Sequence, residues 1–235
     1  MSLSIKFTLD YGSEWIPKEY YPVAGIKAVP EWYKKMETSH AEDKTQTAEV
    51  RKSQTIKRCM PVLDAITAGY VLKLHTDLLV KYTDGVVGFE WANDTKETVT
   101  FHPAYQLINY REKELPYGAP KLRNPWGIKT PKGYSCLFLP PTHRPEIGLR
   151  ILEGLVDTDK YTNSVQFPFL PDKDFVGTIP AGTPIAQVIP FKRDAFRMEI
   201  GNDEDRKEND SVLKLLRSTW INGYRNKFRS HKEYL

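Results

Sequence analysis

The chain has 235 residues, 40% of them hydrophobic, with 34 basic and 30 acidic side chains for a formal net charge of +4. That is long enough for one substantial core, and it carries no excess of charge that would draw the whole molecule to nucleic acid or to an anionic membrane. Two cysteines, Cys59 and Cys136, exclude a disulfide framework and predict free thiols in a reducing compartment.

Seventeen prolines and a 12% aromatic share favour short strands punctuated by turns over a parallel α/β architecture. No apolar run approaches the roughly 18 to 20 residues of a membrane helix. The longest, around Val71 to Val80, is interrupted by Lys73, His75 and Asp77. A soluble protein is expected.

The opening "SIKFTLDY" alternates Ile5, Phe7 and Leu9 with Lys6, Thr8 and Asp10, the period of a half-buried strand. After Pro30 a short helix is predicted, with Glu31 in its first turn and Lys34 and Lys35 in its last, and with Trp32, Tyr33 and Met36 as its docking face. Residues 37 to 58 are polar and mixed in charge and read as an exposed excursion. From Val71 to Trp91 two strand-like runs flank "TDG" at 83 to 85, a hairpin turn. Further strands are predicted at Val99 to Ile108, twice within 114 to 141, and at Arg150 to Val156, Val165 to Leu170 and Pro184 to Phe191.

The tail changes character. "GNDEDRKEND" at 201 to 210 reads as a polar linker. Val212, Leu215, Leu216, Trp220, Tyr224 and Phe228 then follow a helical period, with a cap expected at Asp210 or Ser211 and a weak point at Gly223. Arg225, Lys227, Arg229 and Lys232 suit a helix C-terminus better than they suit a nucleic-acid surface. The organisation expected is an N-terminal strand, helix and excursion over 1–60, a β domain over 61–200, and a linker with a C-terminal amphipathic helix over 201–235.

Several segments carry chemistry-bearing residues. In "GLVDTDKYTNS" at 154 to 164, Asp157, Asp159 and Asn163 are turn formers between two core strands. In "GTPIAQ" at 182 to 187, Gly182 enters a buried strand on which Gln187 is placed to satisfy neighbouring backbone groups. "HTD" at 75 to 77, taken with His143, imitates a two-His-one-carboxylate iron site through His75, Asp77 and His143. Neither cysteine has a CxxC partner, so no zinc site is expected.

Taken in order, "PKGY" at 131, "PTH" at 141, "GLVDTDKYTNS" and "GTPIAQ", with "TAGYVLKL" at 67 more loosely, resemble the dUTPase and dCTP deaminase superfamily over about half the chain. The resemblance implies a mainly β, dUTPase-like barrel or double-sheet body of the β-clip type, commonly trimeric and hence a homo-oligomer. It also implies that Asp157 stands where the family's water-activating Asp stands, that Tyr161 takes the place of the sugar-packing tyrosine, and that Mg²⁺ would assist if the chain were a nucleotide hydrolase.

Other elements of the family pattern differ. The Arg-Ser-Gly phosphate loop is replaced by Pro141, Thr142 and His143, and proline has no backbone N–H to offer. Asn163 and Ser164 stand in place of Gly-Glu, and Val71 in place of an early Asp. Asp157 is therefore the candidate catalytic residue, and Tyr161, Gln187 and His143 are candidate ligand-binding residues, within a protein expected to be non-catalytic and to need no metal or cofactor.

"VPEWYKKM", "KRCMPVLDAITAGY" and "NPWGIKTPKGYSCLF" resemble an uncharacterised family of tailed-phage proteins. That resemblance implies a virion component or a protein of the infected host cell's cytoplasm, with phage or host protein partners.

Overall fold

Fourteen strands, all paired antiparallel, dominate the computed structural model, which describes residues 3–39, 54–83, 86–91, 99–107, 118–172, 175–219 and 222–235. In chain order they are β1 (Lys6–Leu9), β2 (Val23–Ala24), β3 (Tyr70–Lys73), β4 (Leu78–Thr83), β5 (Val86–Trp91), β6 (Val99–Phe101) and β7 (Pro120–Leu122). They continue with β8 (Trp126–Lys129), β9 (Tyr134–Leu139), β10 (Leu149–Ile151), β11 (Gly154–Val156), β12 (Phe167–Pro171), β13 (Gly177–Ile179) and β14 (Pro184–Lys192). The helices are α1 (Glu31–Lys35), α2 (Met60–Thr67), α3 (Asp203–Ser218) and α4 (Gly223–Lys227). The mainly β body with a C-terminal helix agrees with the sequence expectation.

The chain forms two compact units. The first comprises residues 1–30 and 66–193 with residue 234, and the second comprises 31–65 and 194–233 with residue 235. All strands belong to the first unit, in sheets ordered β1-β8, β10-β12-β7-β6, β11-β9-β14-β3-β2 and β13-β4-β5. Its core gathers Leu72, Leu74, Leu78, Val80, Leu122, Phe138, Ile151, Phe167, Phe169, Ile179 and Val188, all nearly or fully buried. Removing such side chains from water drives the collapse at about 1.5–3 kcal/mol apiece. Phe138 meets Phe167 at 5.8 Å between ring centroids, and Phe89 meets Phe169 edge-on at 5.1 Å. Phe7 and Leu9 of β1, with Ile5 just before it, pack against this core, as their alternation predicts.

Gly69 makes the entry to β3 possible. Its φ of +63° is left-handed, and a Cβ there would lie 2.0 Å from the Val188 carbonyl oxygen on β14. No side chain fits between these two strands at that point.

The structure divides four predicted stretches differently, and within 114 to 141 it has three strands, β7, β8 and β9, where two are predicted. Between Val71 and Trp91 there are three strands, because the chain turns a corner after Lys73. There the Leu74 N–H donates to the Thr183 carbonyl (2.8 Å), and Asp77 accepts from the Ala181 N–H (2.7 Å). The β4–β5 hairpin is present with Thr83 opposite Val86, while Asp84 and Gly85 of its predicted turn lie outside the described residues. The strand predicted from Val99 ends at Phe101, since Pro103 opens a 3-10 turn over Ala104–Leu107. Arg150 to Val156 is not one strand: β10 pairs with β12 and β11 with β9, so the chain changes sheets at Leu152 and Glu153.

In the second unit α1 forms as predicted, and Tyr33 is buried with its hydroxyl donating to the Lys57 carbonyl (3.1 Å). The polar excursion's centre, residues 40–53, lies outside the described residues. Its two ends are joined, Ser39 bridging to Gln54 and the Thr55 N–H donating to the Thr38 carbonyl (3.2 Å).

The tail corrects the predicted cap. Helix α3 begins at Asp203, not after Asp210, because Asn202 and Asp205 form a reciprocal capping box and three acids occupy the first turn. The helix stops at Ser218. Trp220 lies outside the described residues, and Asn222, left-handed at φ 58°, precedes the separate α4. Asp64 accepts from Arg229 Nη2 (2.6 Å) and Nε (3.0 Å) and from Lys232 Nζ (3.0 Å), which ties the end of the chain to α2 and lowers the Asp64 pKa.

Candidate functional site

Asp157 sits one residue past β11, and its position follows from sheet register. Val156 pairs with Cys136, which places Asp157 beside Ser135 on β9. On the other side of β9, Phe191 pairs with Ser135 and Lys192 with Tyr134, so Arg193 leaves β14 at the same end. Three adjacent strand ends thus converge.

The Ser135 hydroxyl donates to Asp157 Oδ1 (2.7 Å), and Arg193 Nη1 lies 2.8 Å from Ser135 Oγ and 3.2 Å from Asp157 Oδ1. Asp159, whose side chain is only 5% exposed, takes the guanidinium in a two-bond fork: Nη1 to Oδ1 is 2.8 Å and Nη2 to Oδ2 is 2.5 Å. The Gly133 N–H adds a further bond to Asp159 Oδ2 (2.8 Å). Beneath them Thr130 and Thr158 share a hydroxyl–hydroxyl bond of 2.7 Å, and Thr158 reaches Cys136 Sγ at 3.4 Å.

The electrostatics follow from these bonds. The Ser135 hydroxyl, aided by the positive charges of Arg193 and Lys160, holds the Asp157 carboxyl below its ordinary range. Arg193, through its hydrogen bonds, and the Gly133 N–H hold Asp159 well below it, and Asp159 in turn raises Arg193. Burial raises the Cys136 thiol. Asp157 is therefore ionised and only weakly basic, with one oxygen already committed to a hydroxyl and a guanidinium.

Tyr161 shares the turn with Asp157, its N–H donating to the Asp157 carbonyl (2.8 Å), and its ring is exposed. Gln187 and His143 lie elsewhere. Gln187 faces Leu139, at the opposite end of β9 from Ser135, and is almost wholly buried. Four residues of strand place the two ends about 13 Å apart. The Gln187 amide oxygen accepts from the Thr142 N–H (3.0 Å) and hydroxyl (2.7 Å), and its NH₂ donates to the Ala68 carbonyl (2.7 Å). It joins the "PTH" loop to the "TAG" turn, the backbone-satisfying role read from the sequence. His143 follows Thr142 with a left-handed φ of 57°. The four candidate residues thus form two pairs, one at each end of the five-stranded sheet.

His75, Asp77 and His143 do not make an iron site. His75 is buried against Trp15 (ring centroids 5.9 Å), with Nδ1 lacking a partner among the described residues, while Asp77 faces outward to cap Ala181. Burial, and then the charge of Arg123, lowers the His75 pKa to about 4. Among the described residues no group of three or more His, Cys, Asp or Glu side chains is arranged to hold a metal ion, and no helix is long and apolar enough to cross a membrane.

Sequence reasoning named Asp157 but missed Ser135, Asp159 as an ion-pair partner, and Arg193. No local pattern points to them: Ser135, near the start of β9, and Arg193, one residue past the end of β14, become neighbours only once those strands are paired.

No family model matches the chain, and no curated protein matches it in sequence. Among solved structures it has a coarse likeness to EIAV dUTPase in its native form, at 14% identity and a TM-score of 0.34, over 58% of this chain and 84% of that one.

Proposed function

We propose that this chain is a non-catalytic binding or structural protein on a β scaffold of dUTPase type. In this reading it acts as a homo-oligomer with protein partners in a phage virion or in the cytoplasm of an infected cell, and it needs no metal or cofactor. The state of Asp157 carries the reading. A general base works best with a pKa near the operating pH and a free oxygen aimed at a positioned water. The network of Ser135, Arg193 and Asp159 instead lowers the basicity of Asp157 and uses its carboxylate to pin three strand ends. The sequence adds Pro141, Thr142 and His143 in place of a phosphate cradle. The viral setting is supported by the sequence phrases alone.

A second reading, a divergent Mg²⁺-dependent nucleoside triphosphate pyrophosphohydrolase, is favoured by one observation: the Asp157 side chain is 44% exposed, so water and substrate can reach it. One experiment decides between them. Release of phosphate and pyrophosphate from a panel of nucleoside triphosphates with Mg²⁺ is measured for the folded protein and for Asp157→Asn. No product from either protein is expected. Turnover that the substitution abolishes would overturn the non-catalytic reading.

A further inference from the structure

Residues 195–200, Ala-Phe-Arg-Met-Glu-Ile, belong to the second unit and, among the described residues, take part in no sheet. Phe196, Met198 and Ile200 are 92%, 88% and 92% exposed. They alternate with Arg197 and Glu199, whose side chains approach to 3.9 Å. An i,i+2 approach of that kind puts both charges on one side of an extended chain and the three apolar side chains on the other. Scattered exposed apolar residues are ordinary, but a row of three large ones is a contact surface without its partner.

We propose that residues 195–200 pair antiparallel with the same residues of a second copy, across a two-fold axis through Met198. Charge complementarity selects both the partner and the register. Residues opposite one another in a ribbon share a face, so apolar must oppose apolar and charged must oppose charged. Centring the axis on Arg197 sets two guanidiniums against each other, and centring it on Glu199 does the same with two carboxylates. A parallel, in-register pair stacks Arg on Arg. Only the Met198-centred antiparallel register sets Arg197 opposite Glu199, twice, with Phe196 opposite Ile200, twice, and Met198 opposite itself, the self-complementarity an isologous contact requires.

A two-stranded ribbon is marginal without a layer to cover it. Helix α3, which starts just after this segment, carries apolar surface of the kind that could cover the ribbon in the dimer: Val212 and Leu215, 38% and 45% exposed, lie with Leu216 on one helical face.

The inference deepens the homo-oligomer part of the proposed function and rests on it. Its test is sedimentation of the full chain in a Cys59→Ser background, since Cys59 is exposed and Cys136 buried. A dimer is expected. Arg197→Glu or Glu199→Arg alone sets like charges opposite each other twice and weakens it at least about tenfold, and the double exchange R197E/E199R restores it to within about threefold. Recovery in the double variant excludes misfolding as the cause. Under oxidising conditions Met198→Cys forms a disulfide-linked dimer and Phe196→Cys does not, because only position 198 faces itself. A dimer or trimer indifferent to the exchanges, or equal cross-linking at 196 and 198, would overturn the inference alone. A wild-type monomer would overturn both the inference and the homo-oligomer reading.

Discussion

Arg193 closes on Asp159 in a two-bond fork while the same Nη1 lies 3.2 Å from Asp157 Oδ1, so one guanidinium at the end of β14 holds two carboxylates beyond the end of β11. The strand between them, β9, contributes Ser135 to the same cluster. Planar, two-pronged geometry matters here. Arg193→Lys can satisfy one carboxylate as a point charge but cannot reproduce the fork. Thermal unfolding is expected at a lower temperature for Arg193→Lys and lower still for Arg193→Ala, whereas Asp157→Asn, which keeps a Ser135 acceptor, is milder. An Arg193→Ala protein as stable as wild type would remove the structural role assigned to the cluster.

Acid should unfold the protein partly through these carboxylates. Asp157, Asp159 and Asp64 all titrate below their unfolded value of about 3.9. Each therefore contributes stability that is fully present above that pH and lost as pH falls through the folded-state value. Urea unfolding from pH 5 down to pH 2 should show this loss in wild type and a shallower loss in a D64N/D159N double variant relative to its own value at pH 5. Equal slopes would contradict the assignment.

His75 acts in a different window. Folding keeps it neutral by burial, with its pKa lowered to about 4, so below the unfolded value of about 6.5 the unfolded chain gains a proton that the native state refuses. Stability should fall between pH 6.5 and 4 by up to about 3 kcal/mol, and His75→Leu should flatten that part of the curve. A persistent slope in the variant would assign it to other groups.

How much of this was legible in the sequence depended on whether the signal was local. Alternation in "SIKFTLDY", the Pro30 start of α1, the hairpin strands around 83–86 and the buried run of β14 are local patterns, and the structure contains them. The start of α3 is not legible from the apolar face alone, where acidic residues read as linker; the capping box of Asn202 and Asp205 is the cue that marks it. The Asp157 cluster was half legible. Its carboxylate stands out in the sequence, but Ser135 and Arg193 lie 22 and 36 residues away along the chain and join it only through the registers of β9 with β11 and β14. No periodicity reports such a pairing.

Gly69 offers a test of the β3–β14 junction. Gly69→Ala forces a Cβ into the Val188 carbonyl and a left-handed φ on an alanine. A destabilisation of about 3 kcal/mol or more is expected from urea unfolding. A cost below about 1 kcal/mol, the ordinary range for Gly and Ala exchange, would show that the two strands can separate there.

The central claim, that Asp157 is a fixed charge in a structural knot and not a working base, is tested most directly by the carboxyl ¹³C titration of Asp157 in the folded protein. The expected result is no inflection above about pH 4, the ordinary carboxylate range, with the curve moving upward when Ser135→Ala removes the hydroxyl that donates to it. An inflection between about pH 6 and 7, where a general base is poised, would contradict the account.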